Sequence, residues 1–359
     1  MSKTKGLLQR LEDGETVICA EGYIFAFERL GYLKAGPFTP EVVVEHPDMV
    51  KQMYRDFVHA GSDVVQAFTY YGNRHKMNIV GRLNDLENQN RLALRMAREV
   101  ADETGTLMCG DISNTFVYKP DDDEARRETA DMFREQIEWA VEEKADFIVG
   151  ETFGYFGEAL LATEAIKKHG KGLPAVVTLS SHPKRNDEGQ LCTIDGVEFN
   201  EALRRLAAAG ADVVGFNCTQ GPETIMTLVE SALNDGIKTP LAVLPVTYRT
   251  TKEYPSFSSI PDPKTGDRAF PADLNCLLSS RRDIAEFAER CAQLKLPYVG
   301  LCCGNAPHYT RTLAETLGRR PEASKYSPDM TMHGWYGSKK GVVNSHYTDT
   351  RKNTLGKNF

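Results

Sequence analysis

The stretch AAAGADVVGFNC, Ala207–Cys218, reads as three things in order: the end of a helix, a tight Gly-Ala turn, and a short strand that closes on a cysteine. Alanine favours helix, and a glycine just past the last helical turn is a common stop. The run that follows is apolar or small at consecutive positions rather than alternate ones. A strand needs that only when both of its faces are covered, as in a parallel sheet backed by helices. The same phrase of helix end, turn and strand recurs in EEKADFIV, Glu142–Val149.

Working outward, eight runs of this kind emerge: TVICA (Thr16–Ala20), DVVQAFTY (Asp63–Tyr70), TLMCGDIS (Thr106–Ser113), DFIVGET (Asp146–Thr152), PAVVTLS (Pro174–Ser180), DVVGFNC (Asp212–Cys218), PLAVLPV (Pro240–Val246) and PYVGLCC (Pro297–Cys303). Helical periods separate them. Phe133, Ile137, Ala140 and Val141 make one core-facing stripe, and Leu92, Met96 and Val100 another. Phe199, Leu203 and Leu206 do the same, as do Ile284, Ala288 and Cys291. Eight strands alternating with helices predict an α/β fold, a (β/α)8 TIM barrel, over residues 1–319. The alternative is a doubly wound open sheet. The count of eight and the lack of a Gly-rich phosphate fingerprint in the first unit disfavour it.

Two segments break the alternation. Tyr248 to Ser280 is rich in Pro, Ser and Asp, and a βα loop of that length is expected on the catalytic face as a lid. The tail from Arg320, residues 320–359, has neither period. Trp335 and Tyr336 give it something to dock with, so it is expected as a C-terminal extension that wraps a neighbouring subunit of a homo-oligomer.

Composition sets further bounds. The chain has 359 residues, 41% hydrophobic and 26% charged, ordinary for a globular protein whose core needs no disulfide staples. A net charge of -7 without a Lys/Arg block argues against nucleic acid as a partner. No apolar run is long enough to span a bilayer, so no membrane partner is expected. MSKTKGLLQRLEDGE at the N-terminus has no apolar secretory core, so the expected location is cytoplasmic, where the eight cysteines would be reduced, metal-bound or catalytic.

Three of those cysteines are placed suggestively. Cys218 closes the sixth run, and Cys302 and Cys303 close the eighth. Residues ending barrel strands line the active-site mouth, and only one strand separates these two. Three thiolates with one open position would suit catalytic zinc. No CxxC spacing supplies the fourth ligand of a structural site. The plain alternative is small core hydrophobes, the reading given to Cys109, Cys192, Cys276 and Cys291; spacing alone leaves both open for the three and for Cys19. An open zinc–thiolate site suits alkyl transfer to a bound thiol, because coordination deprotonates that thiol. Water activation is the competitor, but it more often uses His and carboxylate ligands.

The segments GYLKAGPFTPEVVVEHPDMV (Gly31–Val50), VQAFTYY (Val65–Tyr71), GFNC (Gly215–Cys218) and GLCCG (Gly300–Gly304) resemble the homocysteine S-methyltransferases, and among them the betaine-dependent enzymes. The resemblance extends from LLQRLEDGETVI to about Leu317. It implies the barrel, a Zn2+ cofactor held by Cys218, Cys302 and Cys303, and methyl transfer to the sulfur of homocysteine to give methionine. It also implies that Glu151 receives the acceptor's ammonium and that Tyr71 stands near the methyl donor. Phe38 stands where the betaine enzymes carry tryptophan; either ring faces a quaternary ammonium, tryptophan more strongly. Where the family reads Asp-Gly-Gly after the first strand, this chain has Ala20, Glu21 and Gly22. Thr152 replaces a tyrosine. Either Glu21 reaches where the aspartate did, or the donor, the acceptor or both differ.

Other residues carry two readings each. Asn217 would hydrogen-bond a ligand or cap a strand end. Tyr70 and Tyr155 would join an aromatic cage or simply pack the rim. Arg281 and Arg282 would clamp a carboxylate or form a solvated pair, the better reading. PDDDEARRE, Pro120–Glu128, is an acidic helix start.

The expected enzyme is thus a zinc-dependent S-methyltransferase acting on small molecules, an amino-acid thiol and an onium methyl donor such as glycine betaine. A sulfonium donor such as S-methylmethionine or dimethylsulfoniopropionate is one alternative. A non-catalytic zinc or thiol-ligand sensor is the other.

Overall fold

The computed structural model describes residues 5–334, 337–339 and 341. Eight parallel strands close into a barrel in sequence order: β1 (Val17–Ala20), β2 (Val64–Gln66), β3 (Leu107–Ser113), β4 (Phe147–Phe153), β5 (Ala175–Ser180), β6 (Val213–Asn217), β7 (Leu241–Leu244) and β8 (Tyr298–Leu301). Closure comes from β1 pairing with β8, Val17 opposite Tyr298 and Ala20 opposite Leu301. After each strand the chain returns through an outer helix, from Pro47–Ala60 behind β1 to Pro307–Thr316 behind β8. The (β/α)8 expectation holds, and its reason is visible: every strand is buried along almost its whole length.

Two apolar layers hold the barrel. Between strands and helices, Phe133, Ile137 and Ala140 on Asp123–Glu142 are buried, as are Phe199, Leu203 and Leu206 on Phe199–Ala208. Each large side chain so buried contributes about 1.5–3 kcal/mol. Inside the barrel, Val17, Cys19, Val64, Leu107, Cys109, Phe147, Val149, Val176, Val213 and Tyr298 form a separate cluster. Strand side chains alternate, so this set fixes which parity points inward. Two or four residues further along, the same parity brings Glu21, Gln66, Asp111, Glu151, Asn217 and Cys302 to the C-terminal end of the barrel. The polar layer of the site therefore grows directly out of the apolar floor.

Gly215 and Gly300 permit the tight closure around β6–β8. A Cβ on Gly215 would stand 2.0 Å from the carbonyl oxygen of Ala242, and one on Gly300 2.0 Å from that of Cys19. At the opposite end, Asp63 ties the floor together. It accepts from the backbone N–H of Ile18 at 2.8 Å and pairs with Arg10 at 3.0 Å and Arg319 at 2.6 Å.

The observed strands are shorter than the apolar runs. β2 stops at Gln66, although its run continues to Tyr70, and Cys218, Cys302 and Cys303 lie one or two residues beyond their strands. Cys276 is corrected outright. It is exposed on the long loop after β7, its thiol donating to Asp262 Oδ2 at 3.5 Å and to the Asp273 carbonyl at 3.3 Å. That loop is not core, so its cysteine is not either. The chain divides into two compact units, Met1–Pro321 with the barrel and Glu322–Phe359. In the second, short 3-10 turns span Glu322–Tyr326 and Met330–Met332. Trp335 and Tyr336 lie outside the described residues. Among the described residues no helix is long and apolar enough to cross a membrane.

Candidate active site

The loops that leave β6 and β8 carry the sulfurs. The strand ends are bolted to the end of β7 and the residues after it: the Cys218 N–H donates to the Leu244 carbonyl at 3.0 Å, the Cys302 N–H to that of Pro245 at 2.8 Å, and the Thr247 N–H to that of Cys303 at 2.9 Å. Cys218 and Thr219 hold φ of 57° and 61°, the left-handed region that side chains other than glycine seldom occupy. Such strain persists where surroundings over-determine it, and here it turns the Cys218 sulfur toward β8. Cys218 Sγ lies 3.6 Å from Cys303 Sγ, and Cys302 Sγ lies 3.8 Å from Cys303 Sγ. All three lie within 4.8 Å of one another.

That spacing can be tested against an ion. Tetrahedral zinc with Zn–S near 2.3 Å requires sulfurs about 3.8 Å apart. The observed separations fit. The chemistry of the set agrees. Hydrogen bonds from Cys302 and Cys303 hold the Cys218 thiol well below the ordinary range, while burial pushes Cys302 up and the Cys218 thiolate pushes Cys303 up. Three thiolates packed this closely would repel one another unless a cation sat between them.

Beneath the sulfurs lies a carboxylate layer. Glu151, on β4, is 3% exposed. Its Oε1 accepts from Gln66 Nε2 at 2.7 Å, and its Oε2 accepts from Asn217 Nδ2 at 2.7 Å and from the Thr152 hydroxyl at 3.1 Å. Burial nevertheless pushes its carboxyl up to about 7. Asn217 is fully buried. Its Oδ1 accepts from the Thr152 N–H and the Thr178 hydroxyl, each at 2.9 Å, and its Nδ2 also approaches Cys302 Sγ at 3.9 Å. Glu21 accepts from Gln66 Nε2 at 3.4 Å and lies within 4.8 Å of Glu151 and Cys302. Asp111, on β3, faces the same space. Burial first, and the charge of Glu151 second, raise Glu21 and Asp111 well above the usual carboxylate range.

Above the sulfurs opens a cleft of about 530 Å³, reached by Cys218 and Cys303. Its aromatic walls include Phe38, Tyr70, Tyr71, Phe116, Phe257 and Phe270. Phe38 packs on Phe25 at 5.4 Å between centroids and on Phe270 at 6.3 Å. Tyr71 packs on Tyr70 at 4.2 Å and on Phe116 at 5.2 Å. The Lys76 ammonium sits 4.4 Å from the Tyr71 centroid and 4.8 Å from that of Phe116, so these faces already attract a cation. Tyr155 lines the cleft too, and so do Ser256, Phe257, Ser258 and Phe270 of the long loop after β7.

The structure therefore gathers Glu21, Phe38, Tyr70, Tyr71, Glu151, Thr152, Asn217, Cys218, Cys302 and Cys303 around one centre. Arg282 is elsewhere, 86% exposed by side chain and paired with Glu286. The sequence reading missed Gln66, Asp111, Phe116, Phe257 and Phe270, and also His182, which lines the cleft. For Gln66 and Asp111 a signal existed, since both are polar residues at the inward parity of buried strands. The others lie on loops, where no period marks them.

Comparison with known proteins agrees. Residues 20–317 match the family model of homocysteine S-methyltransferase. Betaine–homocysteine S-methyltransferase 1 from Xenopus tropicalis is 36% identical over 93% of this chain and 80% of its own length. S-methylmethionine–homocysteine S-methyltransferase from Pongo abelii is 35% identical over 93% and 86%. The homocysteine methyltransferase MmuM from Escherichia coli, solved in its metallated form, superimposes with a TM-score of 0.64 at 16% identity, over 85% of this chain and 98% of that one, which speaks to the fold. On its sequence and its barrel, this chain belongs to the homocysteine S-methyltransferase family.

Proposed function

We propose that the protein transfers a methyl group from a small onium donor, glycine betaine or a close analogue, to the thiol of homocysteine, giving methionine, with zinc at the cysteine cluster. The observation that carries this is three sulfurs at tetrahedral spacing, flanked by a carboxylate layer on one side and an aromatic cleft on the other. Cys218, Cys302 and Cys303 would hold the ion. When bound, zinc supplies the positive charge that ionises a thiol at neutral pH.

The remaining work falls to the chain. Glu151, fixed by Gln66, Asn217 and Thr152, presents negative charge toward the acceptor's ammonium, with Glu21 beside it. Tyr71, Tyr70 and Phe38 offer ring faces to the donor's onium group. The sulfur then attacks a methyl carbon in line. A new S–C bond forms, and the electron pair of the breaking bond leaves with the donor's nitrogen or sulfur. Opposite charges vanish in this step, so a dry site favours it, and the Phe257 and Phe270 side chains help exclude water. We further propose a cytosolic setting, which keeps the cysteines reduced, and a homo-oligomer to which the segment after residue 320 contributes.

A sulfonium donor is the second reading. It is favoured by the similar identity to an S-methylmethionine enzyme and by Phe38, a weaker cation–π partner than tryptophan. The test is a methyl-transfer assay on zinc-loaded protein with homocysteine and a donor panel: glycine betaine, dimethylsulfoniopropionate and S-methylmethionine. One donor is expected to yield methionine, and Cys302→Ala to yield none. Zinc-loaded protein inert with every donor would overturn the proposal and favour a sensor.

A further inference from the structure

Three carboxylates meet beneath the sulfurs, and they are not equivalent. Glu151 has neutral hydrogen-bond donors on both oxygens. By contrast, Glu21 Oε1, Asp111 Oδ1 and Asp111 Oδ2 are buried without a hydrogen-bond partner among the described residues. Glu21 is 2% exposed and Asp111 3%. No salt bridge among the described residues reaches any of the three. A buried carboxylate left without partner or counter-charge is expensive, so such a group usually faces a ligand.

The space in front of Asp111 and Glu151 is small. Asp111, Glu151, Gln66, Cys302 and Cys303 border a cavity of about 20 Å³, room for one water-sized group. A primary ammonium has that size, a positive charge and three N–H donors, and Asp111, which borders the space, offers two unpartnered acceptor oxygens. A methylated onium has neither the size nor the N–H groups. Its place is the aromatic cleft of about 530 Å³, and Cys303 borders both spaces.

We propose that Asp111 is a specificity-determining residue, which with Glu21 receives the primary ammonium of the acceptor thiol and so keeps the two cationic substrates apart. N–H cations go to the small pocket that Asp111 and Glu151 border, and methylated cations go to the ring-lined cleft. Glu151 is then the fixed base of the pocket rather than its sole ligand. This rests on the proposed function, because it takes an amino thiol as acceptor.

The test uses full-length wild type and Asp111→Asn. Calorimetry measures binding of methionine and of 4-(methylthio)butanoate, which lacks the amino group; steady-state kinetics gives KM for homocysteine and for the working donor. Asp111→Asn is expected to weaken methionine and raise the homocysteine KM by about 10- to 100-fold. The donor KM should stay within about twofold, and 4-(methylthio)butanoate should bind both proteins alike. The melting temperature should hold or rise, since a buried acid group without a partner is replaced by an amide, which a merely structural role would not produce. Unchanged methionine binding in the folded variant would overturn the inference, as would an equal loss for both ligands. If Asp111→Asn does not fold, Asp111→Ala takes its place in the same comparison. Wild type that binds methionine but methylates homocysteine with no donor would instead sink the proposed function, and the binding comparison would still decide the pocket.

Discussion

Asn217→Ala is the substitution whose cost the structure defines best. Asn217 is wholly buried and makes four hydrogen bonds of 2.7–2.9 Å, to Glu151, to the Thr152 hydroxyl and backbone, and to Thr178. Truncation leaves the Thr152 N–H and the Thr178 hydroxyl without their acceptor and removes a charge-assisted donor from Glu151. Each buried group so stranded costs about 1–3 kcal/mol. The hydroxyl can rotate and a water can enter the gap, so the sum is about 3–5 kcal/mol rather than the maximum. For a chain of this size that corresponds to a fall in Tm of roughly 4–8 °C. Freed from one anchor, Glu151 should also lose its orientation, and the homocysteine KM should rise by about tenfold or more. Differential scanning calorimetry and steady-state kinetics read both effects. Asn217→Asp sharpens the test, because an oxygen would replace the nitrogen 2.7 Å from Glu151 Oε2, and two carboxylates that close must share a proton. A variant that melts within about 1 °C of wild type with unchanged KM would refute the idea that Asn217 holds the carboxylate layer in place.

Other perturbations probe separate parts of the account. Gly300→Ala forces a Cβ to 2.0 Å from the Cys19 carbonyl, so β1 and β8 must part, and most of the protein is expected in the insoluble fraction or melting well below wild type. Phe38→Trp should lower the KM of a quaternary ammonium donor several-fold and that of homocysteine little, as measured by initial rates. Phe257→Ala removes a ring stacked on Tyr248 at 5.4 Å and edge-on to Phe25 at 6.0 Å and Phe270 at 5.6 Å. It should loosen the long loop after β7, raising donor KM and hastening proteolysis within residues 248–280. Stripping metal with a chelator should abolish turnover, and zinc should restore it in wild type but not in Cys303→Ser, with metal content read by mass spectrometry.

Much of the barrel was legible because its strands are buried on both faces. TLMCGDIS, DFIVGET and DVVGFNC each carry consecutive apolar residues, and β3, β4 and β6 occupy most of each run. Strand ends were less so. Residues after Gln66 in VVQAFTY are apolar because Phe68 packs in the core and Tyr70 lines the cleft, not because they pair in the sheet. The three sulfurs could be singled out because cysteines next to strand ends converge on one mouth. Asp111 sits inside β3 rather than after it, so its place next to the strand end does not mark it. Counting inward parity from Cys109 would have found it. Phe257 and Phe270 arrive on a loop whose path follows from tertiary packing, which no local pattern encodes.

The central claim is that Cys218, Cys302 and Cys303 together hold zinc with one position left for the acceptor. X-ray absorption at the zinc edge on the full-length protein tests it most directly, without and then with homocysteine. The account predicts three sulfur neighbours near 2.3 Å in the first spectrum and four in the second. A sulfur count that does not change on adding homocysteine, or a first shell dominated by nitrogen and oxygen, would contradict it.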